Sequence, residues 1–222
     1  MVGGAKTDGT MTIKHQILER IRRAVPDYSS MRESQYEAIT RNYRQSGDLD
    51  ESGRIELFTD RLRDYGAKVY RCAPWELRSV IGEILSERRK RGLVIARDLP
   101  EDWLPEGFEF VRDKGLTYGE IDASEGVLTG CALAIAMTGT IVLYHSGGEG
   151  RRALTLIPDY HLCVVYTSQI VETVPEGIRA LAPYSVAPLT TISGPSATAD
   201  IEMTRIQGVH GPRTLDIILV KA

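Results

Sequence analysis

The stretch KVYRCAPWELRSVIGEILSERRKRGLVIA, Lys68–Ala96, decides the fold class. Lys68–Cys72 has the composition of a strand, and Pro74 suits the first turn of a helix. Within that helix Leu77, Val80, Ile81, Ile84 and Leu85 fall at i, i+3, i+4, i+7 and i+8, a single apolar stripe. The basic run Glu87–Arg91 then complements the helix C-terminus as a solvated last turn, and Gly92 can cap it. Leu93–Ala96 is a short apolar run suited to a parallel strand covered on both faces. Strand, helix and strand at this spacing predict right-handed βαβ units.

The reading extends in both directions. Upstream, Ile13, Ile17, Ile21 and Ala24 form a helical stripe that Pro26 closes, and Phe58, Leu62 and Tyr65 form another that Gly66 ends. Downstream, Thr140–Tyr144, Leu162–Tyr166 and Leu215–Val220 are strand-like runs, and Pro175–Leu181 suits a short helix. The prediction is an α/β fold with a mostly parallel sheet flanked by helices and a helical N-terminal segment. Its divisions are a disordered tail over 1–11, a helical segment over 12–50 and an α/β domain over 51–222.

The composition bounds the function. A chain of 222 residues, 42% hydrophobic and 26% charged, is globular and large enough for a substantial core. A net charge of -3 excludes the electrostatic footprint of a duplex nucleic-acid binder or an anionic-membrane binder. Cys72, Cys131 and Cys163 form no CxxC pair, so neither a disulfide framework nor a self-contained iron–sulfur cluster is expected, and a reducing compartment fits. The apolar stretch Cys131–Tyr144 is too short to span a bilayer, and the first ten residues lack the apolar segment of a signal peptide. A cytoplasmic protein without membrane insertion is expected.

Charge is also unevenly distributed: residues 127–222 carry only 13 of the 57 charged side chains. That half should be buried sheet and connecting loops, so each polar group left there needs its own explanation. Ile192–Glu202, ISGPSATADIE, delivers an extended segment into a Ser193-Gly194-Pro195-Ser196 turn that would open a helix near Ser196 or Thr198. Such a turn offers backbone N–H groups and hydroxyls to a carboxylate or phosphate. Equally, its Ser or Thr would serve as N-cap, with Asp200 and Glu202 complementing the helix dipole. Gly208–Arg213 brings His210, a possible general acid or base, next to Arg213, whose fork suits a carboxylate.

Thr138-Gly139-Thr140 and the glycine-rich run ending in Arg151-Arg152 form a third candidate stretch, with a solvated hairpin loop as its alternative. His145 and His161 stand beside hydrophobic strands, with no second ligand at metal spacing, and read as satisfied structural histidines. No metal site is expected. No dinucleotide fingerprint, phosphate-binding P-loop, GxSxG elbow or HExxH helix occurs.

The order of these stretches is more specific than any one of them. TGCALAIAMTGTIVL (Thr129–Leu143), GRRALTLIPDYHLCVV (Gly150–Val165), ISGPSATADIE (Ile192–Glu202) and GVHGPRTLDIILV (Gly208–Val220) together resemble the lactate utilization protein C family, LutC/YkgG or the LUD domain. The resemblance implies a NagB/RpiA/CoA-transferase-like, Rossmann-like fold. It implies a role in oxidising L-lactate to pyruvate beside two iron–sulfur partner proteins, which would carry the clusters while this chain binds no cofactor. Ser193, Ser196, Thr198, Asp200, Glu202, His210 and Arg213 stand where the family pattern places polar residues, and Gly194 is a candidate beside them. Met137 replaces a glutamate the family commonly has before its TGT triplet. The first reading is therefore a non-redox subunit that binds a small carboxylate or a partner surface. The alternatives are a stand-alone enzyme acting on a CoA-ester, phosphosugar or folate, and a structural or regulatory adaptor. Ile192–Glu202 and Gly208–Arg213 are expected to meet at the C-terminal edge of the sheet.

Overall fold

The computed structural model describes residues 13–25, 35–145, 147–184, 188–199, 205–207 and 211–221, with backbone only for 147, 184, 197–199 and 205–207. The expected tail 1–11 lies outside them. The chain forms two compact units, Met1–Tyr43 and Arg44–Ala222. In the first, helix α1 (Ile13–Ala24) carries the isoleucine stripe read from the sequence, and Ile13, Ile17 and Ile21 are exposed.

The second unit runs α2 (Glu51–Asp64), β1 (Lys68–Cys72), α3 (Leu77–Glu87), β2 (Gly92–Ile95), β3 (Glu109–Arg112), α4 (Tyr118–Asp122), β4 (Val127–Thr129), β5 (Leu133–Ile135) and β6 (Thr140–Tyr144). It continues β7 (Tyr160–Tyr166), β8 (Ile170–Val171), α5 (Val174–Leu181), β9 (Leu189–Ile192), β10 (Ala197–Ala199), β11 (Arg205–Gln207) and β12 (Thr214–Val220). Six strands form an all-parallel sheet in the order β1-β12-β7-β4-β2-β3. The expected α/β class with a mostly parallel sheet is what the chain adopts, in a Rossmann-like arrangement. Strand order reverses between β2 and β4, since β3 lies on one side of β2 and every later parallel strand lies on the other.

Strand parity sorts the core. On one face Leu162 and Val164 of β7 and Ile218 and Val220 of β12 pack with Leu77, Ile81, Ile84 and Leu85 of α3. On the other, Cys163, Val165, Leu215, Ile217 and Leu219 meet Phe58 and Leu62 of α2 and Ala134 and Ile141 of a second sheet, ordered β8-β5-β6-β9. Thr140–Tyr144 therefore belongs to that smaller sheet and not to the parallel one. Ile192–Glu202 also departs from expectation. Ala197–Ala199 is a strand paired antiparallel with Arg205–Gln207, and the Ser196 N–H donates to the Pro212 carbonyl at 2.8 Å. Backbone donors that a helix start would have left free are consumed by these pairings.

The basic run after α3 is the main correction. Its left-handed residue is Arg89, with φ 54°, and Lys90 N–H closes the turn onto the Leu85 carbonyl, while Gly92 already belongs to β2. Arg88 is not a solvated charge. Its Nε and Nη2 donate to Oδ2 and Oδ1 of Asp216 at 2.7 and 2.5 Å, and Asp216 is 0% exposed. The Tyr160 hydroxyl donates to the same carboxylate at 3.0 Å. Burial and this carboxylate push the Tyr160 phenol up, so it stays a donor.

Removing one partner of a buried ion pair leaves an uncompensated charge, at a cost of about 3–5 kcal/mol. Arg88→Ala is therefore expected to lower unfolding stability by about that amount in urea titrations at neutral pH. Arg213→Ala, which breaks only an exposed pair, should lose about 1 kcal/mol or less. Equal midpoints for the two variants would show that Asp216 does not depend on Arg88.

Candidate functional site

Parallel pairing of β7 with β12, with Thr214 opposite Tyr160, places the entries of both strands side by side. Gly211-Pro212 leads into β12, and the turn after β9 folds over it. The result is a cavity of about 250 Å³ whose walls include Arg152, Thr155, His161, Ser193, Gly194, Ser196, Gly211 and Pro212. The two polar loops singled out in the sequence do meet, through the 2.8 Å hydrogen bond from the Ser196 N–H to the Pro212 carbonyl. They meet at the N-terminal edge of β7 and β12, not the C-terminal edge, because Gly211–Arg213 immediately precedes β12.

Hydroxyls link the TGT triplet to this cavity. Thr138 Oγ1 lies 2.7 Å from Thr140 Oγ1, which lies 2.8 Å from Ser193 Oγ on the cavity wall. Gly139 between the threonines has φ 57°, and a Cβ there would come within 2.7 Å of the Arg61 side chain on α2. Gly194 has φ 87°, and a Cβ would come within 2.4 Å of Tyr65. Both glycines are required by conformation and by close approach.

The polar floor comes from a residue read as merely structural. His161 is 1% exposed and lines the cavity, with its Nε2 2.8 Å from Thr129 Oγ1. Its Nδ1 is buried and has no hydrogen-bond partner among the described residues. A buried ring nitrogen without a partner, on a residue that lines a polar cavity, is a site for a ligand oxygen or a bound water. His145, by contrast, fits its expectation, with Nδ1 3.0 Å from the Gly150 carbonyl and Nε2 2.6 Å from Thr190 Oγ1. The sequence signal for His161 was a histidine inside the otherwise apolar Tyr160–Tyr166 strand of a charge-poor half.

The arginines separate. Arg152 lines the cavity, donates to Thr155 Oγ1 at 3.3 Å and makes no ion pair among the described residues. Arg151 points elsewhere, gripping Asp113 through Nε and Nη2 at 2.6 and 3.2 Å and also donating to the Leu116 carbonyl. Arg213 gives its fork to Asp159 at 2.6 and 2.5 Å, with both side chains more than half exposed. It does not line the cavity. Thr198 is placed by its backbone in β10, opposite Ile206, and Asp200, Glu202 and His210 lie outside the described residues.

Two measurements test this construction. Thr129→Val keeps the shape and leaves His161 Nε2 unpaired, so it should cost about 1–3 kcal/mol in chemical denaturation; unchanged stability would mean the hydrogen bond holds nothing. For Asp113, desolvation pushes the carboxyl up, but the Arg151 fork and the Leu116 and Gly115 N–H groups outweigh it, so its pKa lies below the ordinary 3.8. A lowered folded-state value means stabilisation that is present above pH 3.8 and lost as pH falls through the depressed value. Thermal melts from pH 7 down to 2 should therefore show an acid-labile contribution that Asp113→Asn lacks, and identical pH profiles would contradict it.

Residues 55–220 match the LUD domain family. A protein named "Lactate utilization protein C" from Deinococcus radiodurans is 42% identical over 95% of this chain and 97% of its own length. Another of that name from Shouchella clausii is 31% identical over 77% of this chain and 70% of its own length. A crystal structure of a DUF162 family protein from Deinococcus radiodurans superposes with a TM-score of 0.68 at 40% identity, covering 78% of this chain and 99% of that one. Family match, identity across nearly the whole length and shared fold agree, and the chain belongs to the LUD domain family.

Proposed function

We propose that this chain is a non-redox component of an L-lactate utilisation system and that its cavity binds a small carboxylate. The observation that carries the reading is the joining of Arg152, the Ser193 and Thr155 hydroxyls and the buried His161 around one cavity of about 250 Å³. A guanidinium can take a carboxylate through charge-assisted hydrogen bonds, and hydroxyls complete its coordination. The open Nδ1 of His161 is suited to a hydrogen bond with the oxygen on the neighbouring carbon, hydroxyl or keto. The names of the relatives from Deinococcus radiodurans and Shouchella clausii support lactate utilisation as the process. In this reading the chain binds no cofactor, and oxidation of L-lactate to pyruvate takes place with two iron–sulfur partner proteins, in the cytoplasm.

Calorimetric titration with L-lactate and pyruvate tests the site, with Arg152→Ala as the variant. Loss of a charge-assisted contact worth about 1.5–3 kcal/mol should weaken binding roughly ten- to hundredfold. A chromosomal deletion should abolish growth on L-lactate, and the parent chain should restore it better than Arg152→Ala does. Affinity purification from the native host should recover two proteins carrying iron and acid-labile sulfide. No binding of either acid, together with undiminished growth of the deletion strain, would overturn the reading.

A further inference from the structure

A second cavity lies at the opposite, C-terminal edge of the parallel sheet, where strand order reverses between β2 and β4. It encloses about 230 Å³ and is walled by Asp98, Trp103, Cys131, Glu149, Tyr166 and Gln169. Cys131 sits two residues beyond the end of β4 and is 5% exposed, at the cavity wall. Gln169 fixes this segment, donating from Nε2 to the Cys131 carbonyl at 2.7 Å and accepting from the Tyr166 N–H at 2.8 Å. The Cys131 thiol donates to the Gln169 Oε1 at 3.4 Å.

Directly behind Cys131 lies Cys163. Thr129 is the register partner of Cys163, and the Cys163 sulfur lies 3.5 Å from the Gly130 carbonyl oxygen, so the next residue along, Cys131, falls beside it. Both side chains belong to the same buried cluster on the same face of the sheet, and each thiol shifts the titration of the other. Burial alone would push the Cys163 thiol up, but the neighbouring Cys131 and His161 side chains outweigh it and hold the thiol below its ordinary range. The Glu149 carboxyl in the same cavity is pushed up to about 7 by burial and by Cys163, so it carries a proton through much of the neutral range.

We propose that Cys131 and Cys163 are a peroxide-oxidisable dithiol that closes reversibly into a disulfide across the ends of β4 and β7. The cavity exceeds the roughly 30 Å³ of a water molecule severalfold, and it brings hydrogen peroxide to the Cys131 sulfur. That sulfur attacks one peroxide oxygen and the O–O bond breaks, giving the Cys131 sulfenic acid and a water. The Cys163 sulfur then attacks the sulfenic sulfur, the S–O bond breaks, and the expelled hydroxide takes the Cys163 thiol proton as a second water. Two thiols and one peroxide become one disulfide and two waters, the thiols supplying both electrons. This modification is separate from the lactate chemistry proposed above and does not depend on it.

The decisive protein is Cys72→Ser, in which Cys131 and Cys163 are the only thiols because the chain has three cysteines. Treatment of the folded full-length variant with equimolar hydrogen peroxide, followed by alkylation in denaturant, should take the alkylatable thiols from two to none. Intact mass should show loss of two hydrogens, peptide mapping should join residues 131 and 163, and dithiothreitol should return both thiols. Cys131→Ser in the same background should keep its single thiol unlinked, with a melting curve showing that it is folded. Retention of both thiols after peroxide, or a gain of oxygen without a crosslink, would overturn the proposal.

Discussion

A carboxylate with no solvent exposure stands in β12, a strand with parallel neighbours on both sides, and the layers around it depend on how it is satisfied. Asp216 is held from the helix layer by Arg88 and from the adjacent strand by Tyr160. The first contact ties the C-terminal end of α3 to the sheet. The second locks β12 against β7, because Tyr160 opens β7 while Asp216 lies near the start of β12. A single-residue slip between these strands would carry Asp216 to the opposite face, away from Arg88 and against the apolar cluster of α2. The ion pair therefore specifies register, whatever its net contribution to stability.

That register also creates the candidate site. With β7 and β12 entering the sheet side by side, Gly211-Pro212 and the Ser193–Ser196 turn line one cavity with His161 at the start of β7. Parity then puts His161 on the face shared with the smaller sheet, one residue away from Tyr160 on the other. Adjacent residues of β7 thus serve opposite faces of the sheet: Tyr160 completes the buried carboxylate cluster, and His161 lines the cavity. Further along the same strand and on the same face as His161, Cys163 approaches Cys131 at the far edge of the sheet.

Much of this was legible from residue order alone. The apolar stripe of α3 and the runs that became β1, β2, β7 and β12 needed only periodicity and composition, because burial against a sheet dictates both. The glycines of the TGT triplet and of the Ser-Gly-Pro-Ser turn could be recognised as special, and both prove to have positive φ. Arg151 and Arg152 are neighbours in sequence but point to different places, one to Asp113 and one to the cavity, and no local pattern distinguishes them.

By itself, the sequence determined the α/β class, the succession of strands and helices over Lys68–Ala96, the identity of the family and the two loops that meet at the candidate site. Those properties follow from local propensity and from motif order, which are properties of the chain. Only the tertiary structure decided which edge of the sheet the loops occupy, that Arg88 pairs with the buried Asp216, that the fork of Arg213 is taken by Asp159, and that His161 lines a cavity. Each of these is a pairing between residues far apart in the chain, between 32 positions for Thr129 with His161 and 128 for Arg88 with Asp216. A buried polar group takes whichever partner the strand order brings within about 3 Å, and strand order is set by the packing of the whole sheet.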